Sequence, residues 1–533
     1  MPRGAGVHRE QQLVRFFLNP ANYPHRVDSV VHRETHISHV FLAGPFAYKL
    51  KKSVAFPFLD ASTLAKRKRW CRLEVALNRR LAPQLYLGVV PVVETPQGLR
   101  LSETGKVVEW VVKMYRLPEE RMLDQLVATS QAGRRDMKHV GDQLIKFFKR
   151  AKRSQAIDRY GQPTEVAALV LGNLQECQPF VRKIFQEDDR RFIASAYRQF
   201  LALSEPLLAR RVREGRIRDG HGDLRCENIC MTNPVTIFDC VEFQPAFRCG
   251  DLANDFGFLL MDLEFRGRGD LADALVAQYR QALNDPMLDI VLSFYKCHRS
   301  LVRGKVRGLA WLQHPRTPTG RRLRALAARH FHLARRYAGE FSKPRLVVVG
   351  GLIGTGKSTL AQQLANTLGA TWLRTDEIRV REFGSMRTAH QQFGAGLYAP
   401  RVSARVYQRL IQRAEALVRR GESVVCDGMF SKATAREVLR AVAERHDASF
   451  HFFECVVPRA AALRRVRRRL LSRTDLSEAR PDYYDSLKAG FEPVRGWPAS
   501  AWTRLKTTSS PSQVHDDAVT VLRHAWCRSN AFR

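Results

Sequence analysis

The stretch 346–365, LVVVGGLIGTGKSTLAQQLA, determines the fold of the C-terminal half of the chain. An apolar, β-branched run leads into a glycine-rich turn and then into an alanine- and leucine-rich segment, which is the order strand, loop, helix. Its spacing fits G-x-x-x-x-G-K-[ST], the phosphate-binding loop, in which backbone N–H groups wrap a polyphosphate because no Cβ intrudes. We therefore predict a nucleotide site whose contacts include Gly351, Gly354, Thr355, Gly356, Lys357, Ser358 and Thr359.

Lys357 and Ser358 open the helix that follows this loop. We expect Lys357 to act in catalysis at the β- and γ-phosphates and Ser358 to hold Mg²⁺ through its hydroxyl. A later apolar stretch, GESVVCDGMF (421–430), is predicted as a buried strand ending at Asp427. That is the position of a carboxylate that supports Mg²⁺ through water, so ATP and Mg²⁺ are the predicted cofactors.

A phosphate-acceptor site is predicted from GATWLRTDEIRVREF (369–383), where a short strand precedes Asp376 and Arg379. Ligands gather at the carboxyl ends of parallel strands, which places both residues beside the nucleotide site. We expect Asp376 to take the proton from an acceptor hydroxyl and Arg379 to bind the acceptor's phosphate or carboxylate. An N-cap aspartate followed by a helix-surface arginine is the alternative interpretation.

Arginines are concentrated in RAAALRRVRRRLLSR (459–473), which is predicted to be a helix. In a kinase lid such arginines reach the transferred phosphate, and Arg464 and Arg468 are the candidates for nucleotide binding. A nucleic-acid contact and a solvated helix face explain the same stripe, and the sequence does not separate the three.

The whole chain has 533 residues, which is too long for one core and indicates two large domains or three modest ones. Lys and Arg number 88 and Asp and Glu 52, so the net charge is 88 − 52 = +36. This excess favours an anionic partner such as a nucleotide or a nucleic acid. Solvated arginine-rich helix faces, as in 205–216 and 321–336, would give the same charge.

Targeting and cysteine patterns indicate a cytoplasmic protein. The ten cysteines are scattered, and no second pair or histidine cluster accompanies Cys226 and Cys230, which speaks against a zinc site. The first residues lack the apolar core of a signal peptide, and no apolar run is long enough to cross a bilayer. We expect free, reduced cysteines and no membrane partner.

The N-terminal half begins with strands and one basic helix. HISHVFLAG (36–44) and FAYKLKKSV (46–54) form a predicted hairpin with Lys49 in its second strand. The helix STLAKRKRWCRLEVALNRRLA (62–82) carries Glu74, and further strands follow it. A lysine on the third strand and a glutamate on the next helix resemble the small lobe of a protein-kinase-like fold.

Catalytic residues are predicted in HGDLRCENICMTNPVTIFDCVEF (221–243). Phosphoryl transfer needs an oriented hydroxyl and metal ions that neutralise charge. Asp223 is placed to accept the hydroxyl proton, and Asn228 and Asp239 supply the hard oxygen ligands that Mg²⁺ prefers. A surface loop that happens to carry acidic residues is the alternative.

HGDLxxxN followed by IFD resembles the aminoglycoside phosphotransferase and choline kinase group. Together with DFGFLLMDLE, the wider pattern resembles bacterial two-domain proteins that fuse an aminoglycoside phosphotransferase-like domain to a P-loop (AAA family) ATPase domain. The resemblance implies that Lys49 contacts ATP phosphates, that Glu74 pairs with Lys49, and that Asp223 is the catalytic base. It also implies metal binding by Asn228 and Asp239.

Three further points follow from the resemblance. Asp251 and Asp255 correspond to aspartates that brace the catalytic loop in that group. Arg225, Cys226 and Glu227 depart from the group's pattern of His and small or apolar residues, so substrate approach is expected to differ there. The C-terminal half resembles the gluconate kinase, zeta-toxin and polynucleotide kinase assemblage, which favours the acceptor role for Asp376.

The sequence thus predicts a kinase-like α+β domain over 1–340 and an α/β P-loop domain with a parallel sheet over 344–533. The predicted function is an ATP- and Mg²⁺-dependent phosphotransferase that uses a small-molecule or nucleic-acid hydroxyl as acceptor, with a second phosphotransferase in the N-terminal half left open. Two alternatives remain. One is an ATPase switch without an acceptor, and the other is a nucleic-acid-binding protein with a degenerate kinase-like scaffold.

Overall fold

The computed structural model describes residues 3–56, 59–384, 396–472 and 480–531. Two compact units are present: Met1–Val166 together with Ala209–Arg299, and Ala167–Leu208 together with Ser300–Arg533. We call them unit 1 and unit 2 and describe each by itself. The boundary expected from the sequence at 340–344 stays a prediction.

Unit 1 contains a six-stranded antiparallel sheet in the order β1-β2-β3-β8-β6-β7 and three two-stranded sheets. The predicted hairpin is confirmed, since Lys49 on β3 lies opposite Val40 on β2. The strands are β1 (Val30–Glu34), β2 (Ser38–Ala43), β3 (Phe46–Lys51), β4 (Ala55–Phe56), β5 (Leu59–Asp60), β6 (Tyr86–Thr95), β7 (Gly98–Leu101), β8 (Lys106–Tyr115), β9 (Ile217–Asp219), β10 (Ile229–Cys230), β11 (Thr236–Ile237) and β12 (Cys249–Asp251).

Twelve helices lie between residue 3 and the start of the parallel sheet in the described part of the chain. They are α1 (Arg3–Leu18), α2 (Leu64–Asn78), α3 (Leu123–Ala128), α4 (Arg134–Arg150), α5 (Gln155–Asp158), α6 (Pro163–Glu176), α7 (Glu187–Arg213), α8 (Pro245–Arg248), α9 (Leu252–Phe265), α10 (Gly269–Leu283), α11 (Leu288–Gln313) and α12 (Pro318–Phe341).

Helix α2 is the element that brings a charged residue to the sheet of unit 1. Thr63 caps its N-terminus by accepting a hydrogen bond from the backbone N–H of Lys66 at 3.3 Å. The helix packs on β6 and β8, and Cys71 and Val75 on its inner face join a core cluster with residues of these strands. Glu74 lies on the same inner face and is fully buried, so its carboxylate needs charged partners inside the unit.

Unit 2 is built around a five-stranded parallel sheet in the order β14-β15-β13-β16-β17. Its strands are β13 (Arg345–Gly350), β14 (Thr371–Arg374), β15 (Val424–Asp427), β16 (Ser449–Val456) and β17 (Trp502–Lys506). The central strand β13 is buried along its whole length, as a strand covered on both faces must be. The predicted fold class, an α+β kinase-like domain followed by an α/β P-loop domain, is confirmed.

Helices cover both faces of the parallel sheet. The helices of this part are α13 (Lys357–Leu368), α14 (Thr375–Phe383), α15 (Pro400–Arg419), α16 (Ala433–Arg445), α17 (Arg459–Ser472), α18 (Tyr484–Ala489) and α19 (Pro511–Ala531). Leu346 and Val348 of β13 pack with α15 and α16 in one cluster, while α13 and α19 contact each other. No helix in the described residues is long and apolar enough to cross a membrane.

Candidate functional site

The loop between β13 and α13 depends on glycine at two positions. Gly354 has φ +73°, and a Cβ added there would lie 2.4 Å from the backbone oxygen of Ala462. Gly351 has φ +140°, and its added Cβ would lie 2.4 Å from the backbone oxygen of Cys455. Because both obstructing atoms belong to the backbone, they cannot move aside as a flexible side chain could. The loop therefore needs glycine for both conformation and space.

The residues predicted to contact the nucleotide differ in position and in exposure. Gly356 has φ +81° and is the N-cap of α13, so Lys357 and Ser358 begin the helix at the open end of the loop. Thr359, in contrast, is exposed on the helix. Thr355 is buried, and its hydroxyl donates to the carbonyl of Leu352 at 2.8 Å, so this side chain stabilises the loop from within.

Asp427 ends β15 beside the loop and is 3% exposed. Its Oδ1 atom has no hydrogen-bond partner among the described residues. Burial raises the pKa of Asp427, against the opposing effects of the Lys357 ammonium and a hydrogen bond with Ser358. A buried carboxylate oxygen without a partner, beside a hydroxyl, is the donor set expected of a hard cation site, so these residues fit Mg²⁺.

The predicted acceptor residues lie at the same edge of the sheet. Arg374, the last residue of β14, pairs with Asp427 in the parallel register, and Asp376 follows in the first turn of α14. Asp376 acts electrostatically on Asp427 and on Tyr407. Arg379 is 7% exposed, and its guanidinium lies 4.7 Å from the centre of the Tyr398 ring.

The alternative interpretation of this pair is wrong in both parts. The N-cap of α14 is Arg374, so Asp376 is not a capping residue. Arg379 is buried, so it is not a helix-surface arginine. The structure thus brings Lys357, Asp376 and Asp427 into one charged group at the carboxyl edge of the sheet.

The arginine-rich helix α17 meets the loop through a residue that the sequence analysis did not single out. Arg464 and Arg468, the two predicted candidates, are both exposed. Arg465 is half-buried, its Nη1 atom would lie 3.6 Å from a Cβ added at Gly356, and its Nη2 donates to the backbone oxygen of Thr507 at 2.7 Å. The sequence did contain a pattern that points to Arg465, because the apolar residues Ala462 and Val466 mark the buried face of α17 next to it.

A second charged site lies in unit 1 around Lys49. Its ammonium contacts Glu74 Oε1 at 2.8 Å and Asp239 Oδ1 at 2.7 Å. Lys51, two residues on, reaches the other oxygen of Glu74 at 2.7 Å and Glu242 at 2.5 Å. The buried carboxylate of Glu74 therefore pairs with two lysines of the same strand.

The charges of this site hold one another in the ionised form. Burial favours the neutral form of Glu74, but the ammonium groups of Lys49 and Lys51 outweigh burial and lower its pKa. Burial likewise opposes the charge on Lys49, but the carboxylates of Asp239 and Glu74 raise its pKa well above the usual value. The lysine, the glutamate and the aspartate predicted from the sequence are thus direct partners.

The loop that carries Asp223 contains a bidentate ion pair between Arg225 and Asp223. Arg225 donates from Nε to Asp223 Oδ1 at 2.8 Å and from Nη2 to Oδ2 at 2.7 Å. Asn228 donates through Nδ2 to the backbone oxygen of Asp223 at 2.8 Å and to Oδ2 at 3.0 Å. Arg225 also contacts Glu227, and its guanidinium is 5.8 Å from the centre of the Phe258 ring. Arg225 and Glu227 occupy positions at which the sequence departs from the pattern it resembles, whereas Asp223 fits that pattern.

Asn228 and Asp239 are brought together by the small hairpin of β10 and β11. The two strands pair antiparallel, with Ile229 opposite Ile237. The backbone N–H of Phe238 donates to the backbone oxygen of Asn228 at 3.0 Å. Asp239 follows with φ +63°, and its side chain is 44% exposed. These two side chains therefore present oxygen atoms of the type that Mg²⁺ binds, and they fit a metal site.

The two aspartates expected to brace the loop have different partners. Asp255 accepts hydrogen bonds from the backbone N–H groups of His221 and, at 2.8 Å, of Gly222. Asp251 caps α9 and forms a buried bidentate pair with Arg211, with its Oδ1 accepting from Nη2 at 2.8 Å. Of these two aspartates, Asp255 contacts the loop, whereas the Asp251 side chain pairs with Arg211, so the bracing expected of Asp251 stays a prediction.

Comparison with known proteins identifies relatives of this chain. It is 34% identical over 427 residues to the protein described as Uncharacterized protein Rv2004c of Mycobacterium tuberculosis, covering 79% of this chain and 83% of that one. The chain belongs to the Rv2004c family. Uncharacterized protein Mb2027c of Mycobacterium bovis matches with the same identity and coverage. A family profile described as AAA domain matches residues 346–494, which contain the phosphate-binding loop.

Solved structures match parts of the chain. A sugar kinase from Janibacter sp. HTCC2649 shares 22% identity and covers 34% of this chain and 94% of its own, with a TM-score of 0.26. Mycobacterium tuberculosis APS kinase CysC in complex with AMPPNP and APS shares 19% identity over 34% and 98%, with a TM-score of 0.27. A choline/ethanolamine kinase family protein from Mesorhizobium loti shares 15% identity over 62% and 99%, with a TM-score of 0.36.

This Rv2004c-family chain has two charged sites, one in each unit, and the sequence analysis named residues in both. Lys51, which contacts Glu74, and Arg465, beside Gly356, were not predicted as site residues. Arg225 was named only as a departure from the resembled pattern and not as the partner of Asp223. Lys51 carried a signal, because it shares a strand face with Lys49 at the spacing of two. For the other two, only the fold shows which neighbour each guanidinium reaches.

Proposed function

We propose that the P-loop domain is an ATP- and Mg²⁺-dependent phosphotransferase that moves the γ-phosphate of ATP to a hydroxyl acceptor. The observation that carries this proposal is Asp427 Oδ1, a buried carboxylate oxygen without a hydrogen-bond partner among the described residues, beside Ser358 and Lys357. A purely structural aspartate at 3% exposure would have both oxygens satisfied. An oxygen left unpaired at this place supports a cation and nucleotide site.

The nucleotide would be held by the loop and by the start of α13. Backbone N–H groups of the loop and the N-terminus of α13 favour the phosphate charge, and Lys357 adds a cation at the β- and γ-phosphates. Ser358 and Asp427 are the residues that would hold Mg²⁺, which when bound neutralises charge on the phosphates. Arg465, next to Gly356, is placed to add a second cation at the same phosphates.

Asp376 and Arg379 serve the acceptor in this proposal. Asp376 would take the proton from the acceptor hydroxyl, whose oxygen then bonds to the γ-phosphorus as the bond to ADP breaks. Arg379 would bind an anionic group of the acceptor, a task that its planar guanidinium suits. The proximity of Asp376 to Asp427 supports this arrangement, since the two carboxylates act on each other electrostatically.

For unit 1 we propose a second phosphotransferase site. Lys49 would contact the ATP phosphates with Glu74 as its partner, Asn228 and Asp239 would hold Mg²⁺, and Asp223 would accept the hydroxyl proton. The contacts of Lys49 with Glu74 and Asp239, both below 3 Å, support this proposal. It is separate from the first, because each site has its own lysine and its own carboxylates.

The test follows label from γ-phosphate-labelled ATP into a fractionated cell extract, with the unmodified full chain beside Lys357→Met and Asp223→Asn. Label on a metabolite or nucleic-acid fraction that disappears only with Lys357→Met supports the P-loop transferase. Label that disappears only with Asp223→Asn assigns transfer to unit 1. Label released only as inorganic phosphate and lost with Lys357→Met refutes transfer and leaves an ATPase switch.

A matched pair of variants tests the part played by α17. Arg465→Ala should lower transfer by the P-loop site, whereas Arg464→Ala, its exposed neighbour in the same helix, should not. Equal effects would show that only the general charge of the helix matters. In that case affinity for nucleic acid that falls steeply with salt becomes the relevant measurement.

A further inference from the structure

A cavity of about 190 Å³ lies in unit 2 at the end of the parallel sheet opposite the phosphate-binding loop. It is bounded by the starts of β13 and β16 and by α7, α12 and α19, and its lining includes Gln199, Phe200, Phe341, Arg345, Ser449 and Trp526. The volume is several times the roughly 30 Å³ that one water molecule takes up in the liquid. It is therefore large enough for a small organic molecule.

Arg345 is the exceptional residue of this cavity. It is 8% exposed, its Nε atom has no hydrogen-bond partner, and the described residues offer its guanidinium no ion pair. Burial alone lowers the pKa of Arg345 to about 10, because no carboxylate offsets it. Arginine is almost never buried without a partner, since an unpaired buried charge is strongly unfavourable. A buried guanidinium beside a cavity is typical of an anion-binding site.

The charged groups near Arg345 do not supply the missing anion. His451, next to it on β16, is held neutral, and burial lowers its pKa to about 4. Both of its ring nitrogens already have hydrogen-bond partners, Ser500 and Thr503. Lys343 and Asp447 at the rim pair with each other at 2.6 Å, with side chains 41% and 82% exposed. Glu340, which also lines the cavity, pairs with Arg336 at 3.8 Å, so no carboxylate of the described residues forms an ion pair with Arg345.

Gln199 also lines the cavity and is 4% exposed, with its Nε2 donating to the hydroxyl of Ser195 at 3.1 Å. Its Oε1 is enclosed by the protein and has no hydrogen-bond partner among the described residues. This neutral amide does not balance the charge of Arg345.

Aromatic rings form one side of the wall, and polar residues such as Glu340, Ser342 and Lys343 form another. Phe200 packs edge-to-face on Phe341, with ring centroids 5.5 Å apart, and on Trp526 at 6.1 Å. The aromatic side favours a flat apolar body. It also disfavours a phosphate dianion, because a single guanidinium would have to balance two charges beside apolar rings.

We propose that this cavity binds a small monocarboxylate with a flat apolar body. The carboxylate pairs with the Arg345 guanidinium, and the flat body packs on Phe200, Phe341 and Trp526. Benzoate is the simplest compound of this class. The site is distinct from the nucleotide site and does not depend on the phosphotransferase proposal.

Calorimetric titration of the full chain tests this with two probes, benzoate and benzamide. Benzoate should bind at least tenfold more tightly than neutral benzamide. Arg345→Met, which keeps the apolar stem, should lose at least tenfold in benzoate affinity. Lys343→Met, at the ion-paired rim, should leave the affinity unchanged.

A second measurement keeps the proposal falsifiable if binding is weak. Arg345→Met removes an unpaired buried charge, so without any ligand it should melt at a higher temperature than the unmodified chain. A lower melting temperature would mean that the guanidinium has a structural partner and would overturn the proposal. Equal affinity of benzoate and benzamide, or of the unmodified chain and Arg345→Met, would overturn it as well.

Discussion

Gly354→Ala is the sharpest test of the phosphate-binding loop, because the chain contains a matched control. Gly354 and Gly496 share the same φ of +73°. An added Cβ at Gly354 meets the backbone oxygen of Ala462 at 2.4 Å, whereas at Gly496 it meets no atom within 4 Å. The two substitutions therefore impose the same conformational cost, and only the first imposes a steric clash.

The magnitudes follow from these distances. An L-residue in the left-handed region costs about 1–2 kcal/mol, and both variants bear that cost. Ordinary contact begins at 3.4 Å, so the loop and Ala462 of α17 must separate by roughly 1 Å in Gly354→Ala. Overpacking of this kind costs about 1–3 kcal/mol more. Displacing the loop should also lose at least one charge-assisted hydrogen bond to phosphate, about 1.5–3 kcal/mol, or about 10–100-fold in ATP affinity.

The assay combines thermal unfolding with ATP titration in the presence of Mg²⁺, for the unmodified chain and both variants. Gly354→Ala should melt several degrees below Gly496→Ala and bind ATP at least about tenfold more weakly. Gly496→Ala should bind ATP like the unmodified chain. Equal melting temperatures, or equal ATP affinities, would refute the argument that the loop is shaped by the backbone of α17.

Four further substitutions test the charged sites and the catalytic loop of unit 1. Glu74→Gln leaves two buried lysines without their shared partner and should cost about 3–5 kcal/mol at pH 7. Since the folded pKa of Glu74 lies below 4.5, its usual value, this difference should be full above that pH and shrink as the pH falls, which urea titrations at pH 7 and about pH 3.5 can check. Asp427→Asn removes a buried carboxylate, so the melting temperature without ligand should rise while affinity for Mg²⁺ with ATP falls about 10–100-fold. Asp255→Asn should raise amide hydrogen exchange in 221–228, whereas Asp251→Asn should lower stability without that local effect.

The sequence predicted the parallel sheet well, because the features that fix it are local. An apolar β-branched run, a glycine loop and a helix opened by Lys357 each leave a short pattern, and β13 and α13 begin and end close to it. The hairpin that carries Lys49 and the pairing of β10 with β11 are local in the same sense. The family resemblance implied the pairing of Lys49 with Glu74, whereas the contact of Lys49 with Asp239 was not predicted.

What could not be predicted depends on contacts between distant segments. Arg465 and Arg464 are neighbours in one arginine run, and only the packing of Ala462 on the loop decides which of them faces Gly356. The bidentate pair of Arg225 with Asp223 depends on a rotamer and on the burial of its guanidinium. Arg345 reads as an ordinary strand start, and only the fold shows that no carboxylate reaches it.

The buried charges around Lys49 do not sum to zero. Two ammonium groups, Lys49 and Lys51, face three carboxylates, Glu74, Glu242 and Asp239, so the group carries 2 − 3 = −1. A divalent cation alone would reverse that sign to +1, while a cation accompanied by a polyphosphate would leave it negative. A bound cation therefore turns a group that repels a polyphosphate into one that attracts it, so binding of each ligand favours binding of the other. In binding measurements this would appear as positive coupling between Mg²⁺ and ATP in unit 1.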